Sequence, residues 1–577
     1  MHDVVIRGGK IVDGTGRPAF TGDVAIAKGR VAAVGKDLGS AKRTIKADGL
    51  LVTPAWVDVH THYDGQVAWD EQMTPSLWHG VATVVMGNCG VGFAPATPDR
   101  HDWLIGLMEG VEDIPGPALA AGLPWGWQSF AEYLAVLDKM PRTLDVGGMI
   151  THGAVRAFVM GERGAKNEPA TEQDIARMAA LVKEAVLAGA LGFSTSRTLV
   201  HTANDGEPVP GTFAAEEELI GIAHAVRSTG RGILEMVPRG IAGEAPDLLQ
   251  EVDMMIRIAR STGCPLTFLL AQNNSYPAQW REVMARCTAA VQGGVPIVPM
   301  VFARPVCILF SFQGDNPFEY LPSFQPLKKL PHSEKIAALR NPELRQKLVT
   351  EKDPNTTGMS LLYQSALVWE RTYPMGQKLS YEPDSRNSIA AIAQREGRSP
   401  REVVYDLMLE QNGRAFLMYA AAGYAEGNAD SLHALICDPI TVMGGSDAGA
   451  HVRQIIDAGV PTYALTHWSR DKAADDPRHL PLEFVVKKLT RDGARLFGMT
   501  DRGTLEPGAK ADVNLIDYAN LGVSHPEMIY DLPAGMPRLM QTATGYEKTF
   551  VSGEVVQENG KDTGARPGRI VRLCQGS

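Results

Sequence analysis

Two kinds of hydrophobic pattern divide the chain. In the first 50 residues, apolar and polar residues alternate in short runs separated by glycine-containing turns, as in DVAIAKGRVAAVGK. This alternation is typical of a β-meander. The end of the chain has the same character, in GAKADVNLIDY and KTFVSGEVVQENG. Because chain termini often lie close together, we predict one composite β-sandwich domain from residues 1–54 and 501–577.

Between residues 55 and 500, short continuous apolar runs alternate with amphipathic helical segments. Strand–helix repeats with almost wholly apolar strands indicate a parallel sheet covered by helices. Eight such strands are predicted: VDVHTH, TVVMGNC, VGGMITH, LGFSTS, ILEMVP, LTFLLAQ, IVPMVF and VMGGSD. A set of eight parallel strands favours a closed barrel over an open doubly wound sheet. The predicted fold class is therefore α/β, a (β/α)8 TIM-type barrel with a small β-sandwich domain built from both termini.

Two stretches of the barrel region fit neither pattern, and we predict insertions near residues 100–145 and 303–385. The first contains GVEDIPGPALAAGLPWGWQS, whose Pro, Gly and Trp content predicts an ordered loop over the barrel mouth. The second follows the seventh strand. Loops of such length in a compact domain are usually lids or binding elements, and peripheral packing is the alternative.

Charge and cysteine content limit the classes of partner and the compartment that we expect for this protein. A formal net charge of -10 and the lack of Lys/Arg runs argue against nucleic acid and anionic membranes, which need a concentrated basic surface. Six scattered cysteines, Cys574 among them, form no CxxC pair and favour reduced thiols in a cytoplasm. We see neither a secretory signal nor an apolar run of about 18 residues. A cytoplasmic protein with a small-molecule substrate is predicted.

The first barrel strand ends in two histidines, His60 and His62. Residues two apart on a strand point to the same face, and barrel enzymes keep their catalytic groups at this end of their strands. Imidazole is a common ligand for zinc-like metals, but an HxH pair alone is a weak signal. Two interpretations of this pair remain open: metal ligands, or ordinary polar residues at a strand end.

Several further motifs resemble the metal-dependent amidohydrolase superfamily, in its N-acyl-D-amino-acid deacylase (D-aminoacylase)-like branch. They are DVVIRGGKIVDGTG, PAWVDVHTHYD, GVATVVMGNCGVGFAP, MITHGAVR, LGFSTS, MGGSDAGAH and RGTLEPGAKADVNLID. The resemblance covers most of the chain and is weakest between residues 300 and 400. It implies a hydrolase of carbon–nitrogen bonds other than peptide bonds, and it implies that Cys89 is a metal ligand.

Asp447 ends the apolar strand ITVMGGSD between glycines. A carboxylate at this position can bind a metal and take a proton from water, which is also the role that the resemblance implies. A capping Asp in a turn is the alternative. For Cys89, the alternative to a thiolate ligand is a small buried hydrophobic residue.

The chain departs from the family where deacylases carry histidines at the ends of the fifth and sixth strands. The fifth strand has Glu235 instead, and the sixth has Leu270, Ala271 or Gln272. The predicted metal ligands are therefore His60, His62, Cys89, Asp447 and Glu235, holding one or two divalent ions in an atypical site. Zinc suits this donor set. A weakly held or different metal, and impaired metal binding, are the alternatives.

His201 and His224 lie in a predicted loop and on a predicted helix, so we do not expect either to replace the missing pair.

Other polar residues at strand ends are candidates for contact with substrate. Ser196 and Arg197 follow the fourth strand, and the guanidinium fork of Arg197 suits a carboxylate. Arg304 follows the seventh strand, and His451 lies just past the eighth. Structural hydrogen bonds or salt bridges are the alternatives for these side chains. His152 either supports the site or is a plain buried histidine.

The predicted function is hydrolysis of a C–N amide bond in a small molecule. The resemblance makes an N-acyl-D-amino acid or related N-acyl amine the leading substrate, with Asp447 as the catalytic acid/base. A cyclic-amide or lactone/ester hydrolase of the same superfamily is the nearest alternative. A metal-depleted barrel acting as a binding protein is another. A homo-oligomer is compatible with the resemblance.

Overall fold

The computed structural model describes residues 1–352 and 367–573. Residues 353–366, which fall in the second predicted insertion, lie outside the described residues, as do residues 574–577 with Cys574. In the described part of the chain, no helix is both long and apolar enough to span a membrane.

Strands occur in every part of the chain. Those of the N-terminal segment and the middle are β1 (His2–Ile11), β2 (Phe20–Ala27), β3 (Arg30–Gly35), β4 (Ala41–Lys46), β5 (Leu51–Pro54), β6 (Trp56–Asp58), β7 (Val81–Met86), β8 (Asp145–Gly148), β9 (Ile150–Thr151), β10 (Gly192–Ser196), β11 (Ile233–Val237), β12 (Leu266–Leu270), β13 (Ile297–Val301), β14 (Val306–Phe310), β15 (Thr372–Pro374), β16 (Leu417–Ala422) and β17 (Val442–Met443). Those of the C-terminal segment are β18 (Val513–Ile516), β19 (Gly522–Val523), β20 (Glu527–Leu532), β21 (Met536–Met540), β22 (Ala543–Thr544), β23 (Tyr546–Val551), β24 (Glu554–Glu558) and β25 (Lys561–Asp562).

The α-helices of the described residues all lie between strands β7 and β18. They are α1 (His101–Glu112), α2 (Gly116–Gly122), α3 (Phe130–Leu137), α4 (His152–Met160), α5 (Glu162–Ala165), α6 (Glu172–Ala188), α7 (Glu216–Ser228), α8 (Leu248–Thr262), α9 (Gln279–Gln292), α10 (His332–Leu339), α11 (Pro342–Thr350), α12 (Ile389–Glu396), α13 (Pro400–Gly413), α14 (Asp430–Cys437), α15 (Val460–Tyr463), α16 (Leu482–Lys487) and α17 (Gly493–Leu496).

Strands from both ends of the chain share one sheet. Its order is β25-β24-β23-β18-β5-β1-β2-β3, and β4 pairs with β1. The alternating pattern of the terminal segments buries apolar side chains such as Ile6, Val24 and Phe550 in one cluster. The predicted pairing of the two termini is therefore present, whereas the sandwich and the boundaries at residues 54 and 501 stay predictions.

The eight strands predicted for the middle of the chain are all present, and the third of them is divided at Met149 into β8 and β9. β9 to β13 and β17 form a six-stranded sheet, and β6 to β8 form a three-stranded sheet, with parallel pairing throughout. The Met149 amide donates to the Met86 carbonyl (2.9 Å), and the His62 amide donates to the Ala448 carbonyl (2.8 Å). Neighbours in sequence are thus neighbours in space, and closure of the barrel stays a prediction.

Helix boundaries follow from the capping residues. α6 begins after Thr171, whose side chain forms a capping box with Asp174, and it ends at Gly189. Met178 and Val182 lie on its buried face, one turn apart. The apolar face of α6 is thus buried against the rest of the protein.

In the first insertion, the structure differs from the predicted loop. The segment that we expected to be a loop contains the end of α1 and the whole of α2. Its prolines suggested a break, but Pro117 lies in the first turn of α2, where the missing N–H costs nothing.

In the second insertion, β14 and β15 pair with β16 in a separate three-stranded sheet. This sheet therefore continues past residue 385, the predicted end of the insertion. An apolar cluster of its own includes Phe312, Phe318 and Tyr405.

Candidate metal centre

Three strand ends bring the predicted ligands together. His60 and His62 follow β6, Cys89 follows β7, and Asp447 follows β17. Because the carboxyl ends of parallel strands share one edge, residues nearly 400 positions apart can meet there. His60, His62 and Cys89 are buried, and the side chain of Asp447 is 17% exposed.

The ligand atoms of His60, His62 and Cys89 lie within 4.8 Å of one another. Cys89 Sγ is 3.5 Å from His60 Nε2 and 3.8 Å from His62 Nε2. Asp447 Oδ1 is 3.2 Å and 3.6 Å from the same two nitrogens. In a tetrahedral zinc site, metal–ligand distances of about 2.0–2.3 Å separate neighbouring ligand atoms by roughly 3.3–3.8 Å. The contacts thus suit donors around one ion.

The backbone is strained at two of these residues. Cys89 has φ 55° and Asp447 has φ 46°, both in the left-handed region. For residues other than glycine this conformation costs on the order of 1 kcal/mol and persists only where the surroundings impose it. The strain therefore lies in the two loops that turn a thiol and a carboxylate toward the histidines.

Two buried carboxylates lie on the other side of the histidine rings. Glu235, on β11, accepts a hydrogen bond from the Cys89 amide (3.1 Å), and its Oε1 is 3.9 Å from His60 Nδ1. Glu112, the last residue of α1, has Oε1 3.2 Å from His62 Nδ1. Sequence reasoning missed Glu112 because it lies in the predicted loop, 50 residues from His62 and outside every motif.

Burial dominates the electrostatics of these acids. It raises the pKa of Glu235 to about 7 and that of Glu112 well above its ordinary range. Burial and the neighbouring carboxylates raise the pKa of the Cys89 thiol. Burial also opposes ionisation of Asp447, but its contacts with His60 and His62 outweigh burial and hold its pKa well below the usual value.

The two histidines differ in their own pKa. Burial lowers the pKa of His62 to about 4. Burial also disfavours the charged form of His60, but the neighbouring carboxylates, Asp447 first, raise its pKa overall. A buried group of acids with two imidazoles lacks compensating charge, and a divalent cation supplies it. Nitrogen, sulfur and carboxylate donors are those of zinc sites, so the residues present fit such a metal.

The sixth strand supplies no ligand to this group within the described residues. Leu270 is buried in β12. The side-chain oxygen of Gln272 accepts hydrogen bonds from the Ala425 amide (3.0 Å) and from Ser431 Oγ (3.1 Å).

A histidine that sequence reasoning set aside lies near the centre. Ser196 Oγ is 2.9 Å from Nδ1 of His201. Burial, together with the charges of His451 and His62, lowers the pKa of His201 to about 3. His201 does not belong to the ligand group of the described residues. His224 is exposed on α7.

The two predicted substrate-binding arginines have buried protein partners. Arg197 donates to both carboxylate oxygens of Glu251 (2.6 and 3.0 Å). Arg304 pairs with Asp457, and its guanidinium carbon lies 3.9 Å from the centre of the Tyr381 ring. Contact of either arginine with substrate stays a prediction.

The buried His60, His62 and Cys89 form a group that could hold a metal ion, and the chain belongs to the amidohydrolase family, whose model matches residues 43–557. It is a hydrolase that acts on carbon–nitrogen bonds other than peptide bonds.

Individual relatives resemble the chain over most of its length. An uncharacterized protein of Mycobacterium tuberculosis (strain ATCC 25618 / H37Rv) is 28% identical over 552 residues, covering 91% of this chain and 86% of the relative. N-acyl-D-aspartate deacylase of Alcaligenes xylosoxydans xylosoxydans is 26% identical over 584 residues, covering 99% and 95%. A solved structure of D-aminoacylase, from work on the binuclear metal center of that enzyme, is 25% identical to this chain with a TM-score of 0.65. The match covers 99% of this chain and 100% of the D-aminoacylase chain.

Proposed function

We propose that this chain is a metal-dependent amidohydrolase of an N-acyl-D-amino acid or a related N-acyl amine, with its centre at one end of a (β/α)8 barrel. One observation carries the proposal: Nε2 of His60 and Nε2 of His62 both face Cys89 Sγ and Asp447 Oδ1 at 3.2–3.8 Å. Similarity to N-acyl-D-aspartate deacylase supports the substrate class.

His60, His62, Cys89 and Asp447 are the residues proposed to hold the metal, with zinc as the ion that suits them. Glu235 was predicted as a further ligand, and its carboxylate lies beside His60 Nδ1 rather than Nε2. A bound divalent cation supplies Lewis-acid polarisation of an amide carbonyl and activation of water.

Asp447 is the proposed general base and acid. Its side chain is partly exposed beside Nε2 of both histidines, where a carboxylate can accept a proton from the attacking water. The same carboxyl group then delivers that proton to the leaving nitrogen. Ser196 and His451 are proposed to contact substrate at the neighbouring strand ends.

The first experiment measures metal content and substrate class together. The purified chain is analysed for zinc, then assayed with N-acetyl-D- and N-acetyl-L-amino acids, hydantoins and lactones. Zinc-dependent release of amine from the D-enantiomers is expected. Preference for a hydantoin or a lactone favours the alternative hydrolase. Absence of metal and of turnover on all substrates, even with added zinc, manganese or cobalt, favours the binding protein.

The second experiment is Asp447→Asn. Loss of the general base is expected to lower kcat by about 10²–10⁴-fold. Asp48→Asn, at an exposed turn of the N-terminal segment, is the matched control and is expected to leave kcat unchanged. An Asp447→Asn enzyme with the rate of the wild type contradicts the proposed mechanism.

A further inference from the structure

Four buried atoms of the centre lack hydrogen-bond partners among the described residues. They are His60 Nδ1, His62 Nδ1, Glu112 Oε1 and Glu235 Oε1. The four atoms face one another in two pairs: His62 Nδ1 lies 3.2 Å from Glu112 Oε1, and His60 Nδ1 lies 3.9 Å from Glu235 Oε1. Buried polar atoms are normally satisfied, so two matched pairs of this kind call for an explanation.

The two nitrogens of each ring have different surroundings. Nε2 of both His60 and His62 faces the thiol and the carboxylate of the ligand group. When a metal takes Nε2, the ring proton is placed on Nδ1, which then needs an acceptor. Histidine ligands generally donate this N–H to a carboxylate, a carbonyl or water, which fixes the tautomer and the ring orientation.

We propose that Glu112 and Glu235 are positioning residues: when a metal is bound, each accepts the Nδ1–H of its neighbouring histidine and aims that histidine's Nε2 at the metal. The inference rests on the proposed function, because it assumes a metal at Nε2. It assigns Glu235 to the support of His60 rather than to the ligand group, and it leaves a single-ion centre.

Each carboxylate also holds a second part of the site. Glu235 Oε2 accepts from the Cys89 amide at 3.1 Å, so one side chain positions both a histidine and the thiol loop. The Glu112 carbonyl accepts from the His451 amide, and Glu112 Oε2 lies 3.9 Å from His451 Nε2. Helix α1 is thereby tied to the loop that carries Asp447.

Histidines are the only basic partners of the two carboxylates in the described ranges. Glu112 is paired with His62 and His451, and Glu235 is paired with His60. Both glutamates are almost fully buried. A carboxylate buried this deeply without lysine or arginine is costly, and an imidazole N–H donor lowers that cost.

The test measures zinc affinity by competition with a chelator for wild type, Glu112→Gln and Glu235→Gln. Glutamine keeps an acceptor oxygen and loses the charge, so each variant is expected to bind zinc about 10–100-fold more weakly. Glu112→Ala and Glu235→Ala, which lose the acceptor too, are expected to bind more weakly still. Zinc affinities of the glutamine variants within twofold of wild type overturn the inference.

Two spectroscopic readouts separate positioning from ligation. The visible absorption of the cobalt-substituted protein reports the ligand set and is expected to be the same in wild type and both glutamine variants. A changed cobalt spectrum for Glu235→Gln overturns the positioning role and makes Glu235 a ligand. In the zinc-loaded protein, the downfield imidazole N–H proton of His62 is expected to shift upfield in Glu112→Gln.

The control is Glu109→Gln, on the same helix, whose carboxylate accepts from the Gly116 amide (2.7 Å) and not from a histidine. It is expected to leave zinc affinity and the N–H resonance unchanged. Where a glutamine variant fails to fold, Glu112→Asp or Glu235→Asp tests the same contact by shortening its reach. A wild-type protein without zinc affinity overturns the proposed function, whereas a zinc-binding wild type with unaltered variants overturns only the positioning role.

Discussion

The cluster around His152 and the metal centre both contain buried histidines at strand ends, but they differ in how the ring nitrogens are hydrogen-bonded. His152 begins α4 directly after β9, and both of its ring nitrogens have partners at 2.8 Å, Thr195 Oγ1 and Glu218 Oε1. Glu218 also pairs with Arg156. In the metal centre, Nδ1 of His60 and of His62 has no hydrogen-bond partner among the described residues. Burial is the same in both groups, so what separates them is whether their polar atoms are satisfied.

The difference has an energetic meaning. In a satisfied buried cluster, hydrogen bonds offset the desolvation of the charges, and removing one partner leaves the other buried and unpaired. A cluster that combines unpartnered nitrogens with buried acids lowers stability until a cation is added. The first arrangement is therefore typical of structure and the second of a site. Removing one residue from each group tests this contrast.

Cys89→Ala is expected to have the largest effect. It removes a proposed ligand and with it much of the several kcal/mol by which a metal stabilises a transition state. A loss of about 4 kcal/mol corresponds to roughly a thousandfold fall in kcat/KM. Zinc content, measured by mass spectrometry, is expected to fall below one ion per chain.

The matched control is Cys264→Ala, another buried cysteine, which lies before β12 and outside the ligand group. It is expected to retain zinc and activity. If Cys89→Ala keeps its zinc, the thiol is not a ligand, and the contrast between the two groups loses its functional meaning.

The sequence indicated the side chains that come together at the strand ends better than it indicated the carboxylates beside them. His60 and His62 could be found because the two-residue period of a strand fixes their common direction, and Asp447 because it ends an apolar run. Cys89 was indicated only by the resemblance of GVATVVMGNCGVGFAP to the deacylase branch. These are local features. Glu112 ends a helix and contacts His62 only through the tertiary fold, so no periodicity reveals it.

The same limit explains the arginines and the first insertion. The guanidinium fork of Arg197 indicates a carboxylate partner, but not that Glu251 on α8 provides one. Prolines in PGPALAAG indicate an interruption, and only the backbone shows that Pro117 lies in the first turn of a helix. The strand order was predictable because parallel strand–helix repeats place sequence neighbours side by side.

The next largest effect is expected from lowering the pH, which weakens the contribution of the His152 cluster to the free energy of unfolding. Burial alone would raise the pKa of Glu218, but contacts with His152 and Arg156 outweigh it and lower the pKa to about 2. Because the folded pKa lies below the ordinary value of 4.5, Glu218 stabilises the fold above about pH 4.5. That contribution, on the order of 3 kcal/mol, is lost as pH falls toward 2.

The measurement compares urea unfolding of wild type and Glu218→Gln, both without metal, at pH 7, 5, 4 and 3. Wild type is expected to be the more stable at pH 7, and the difference is expected to shrink below about pH 4.5 because glutamine does not titrate. Zinc affinity at pH 7 is expected to be equal. A stability difference that stays constant down to pH 3 means that the charge of Glu218 does not stabilise this cluster.

The smallest effect is expected at Arg197, whose fork is occupied by Glu251. Arg197→Lys keeps the charge but loses the two-pronged contact, at a cost of about 1–2 kcal/mol in the free energy of unfolding. If the contact with Glu251 is the only role of Arg197, KM is expected to change less than about twofold. Arg257→Lys is the control: Arg257 makes a similar but exposed contact with Glu216, worth less than about 1 kcal/mol. A large rise in KM without loss of stability places Arg197 at the substrate and shows that a satisfied partner does not exclude a binding role.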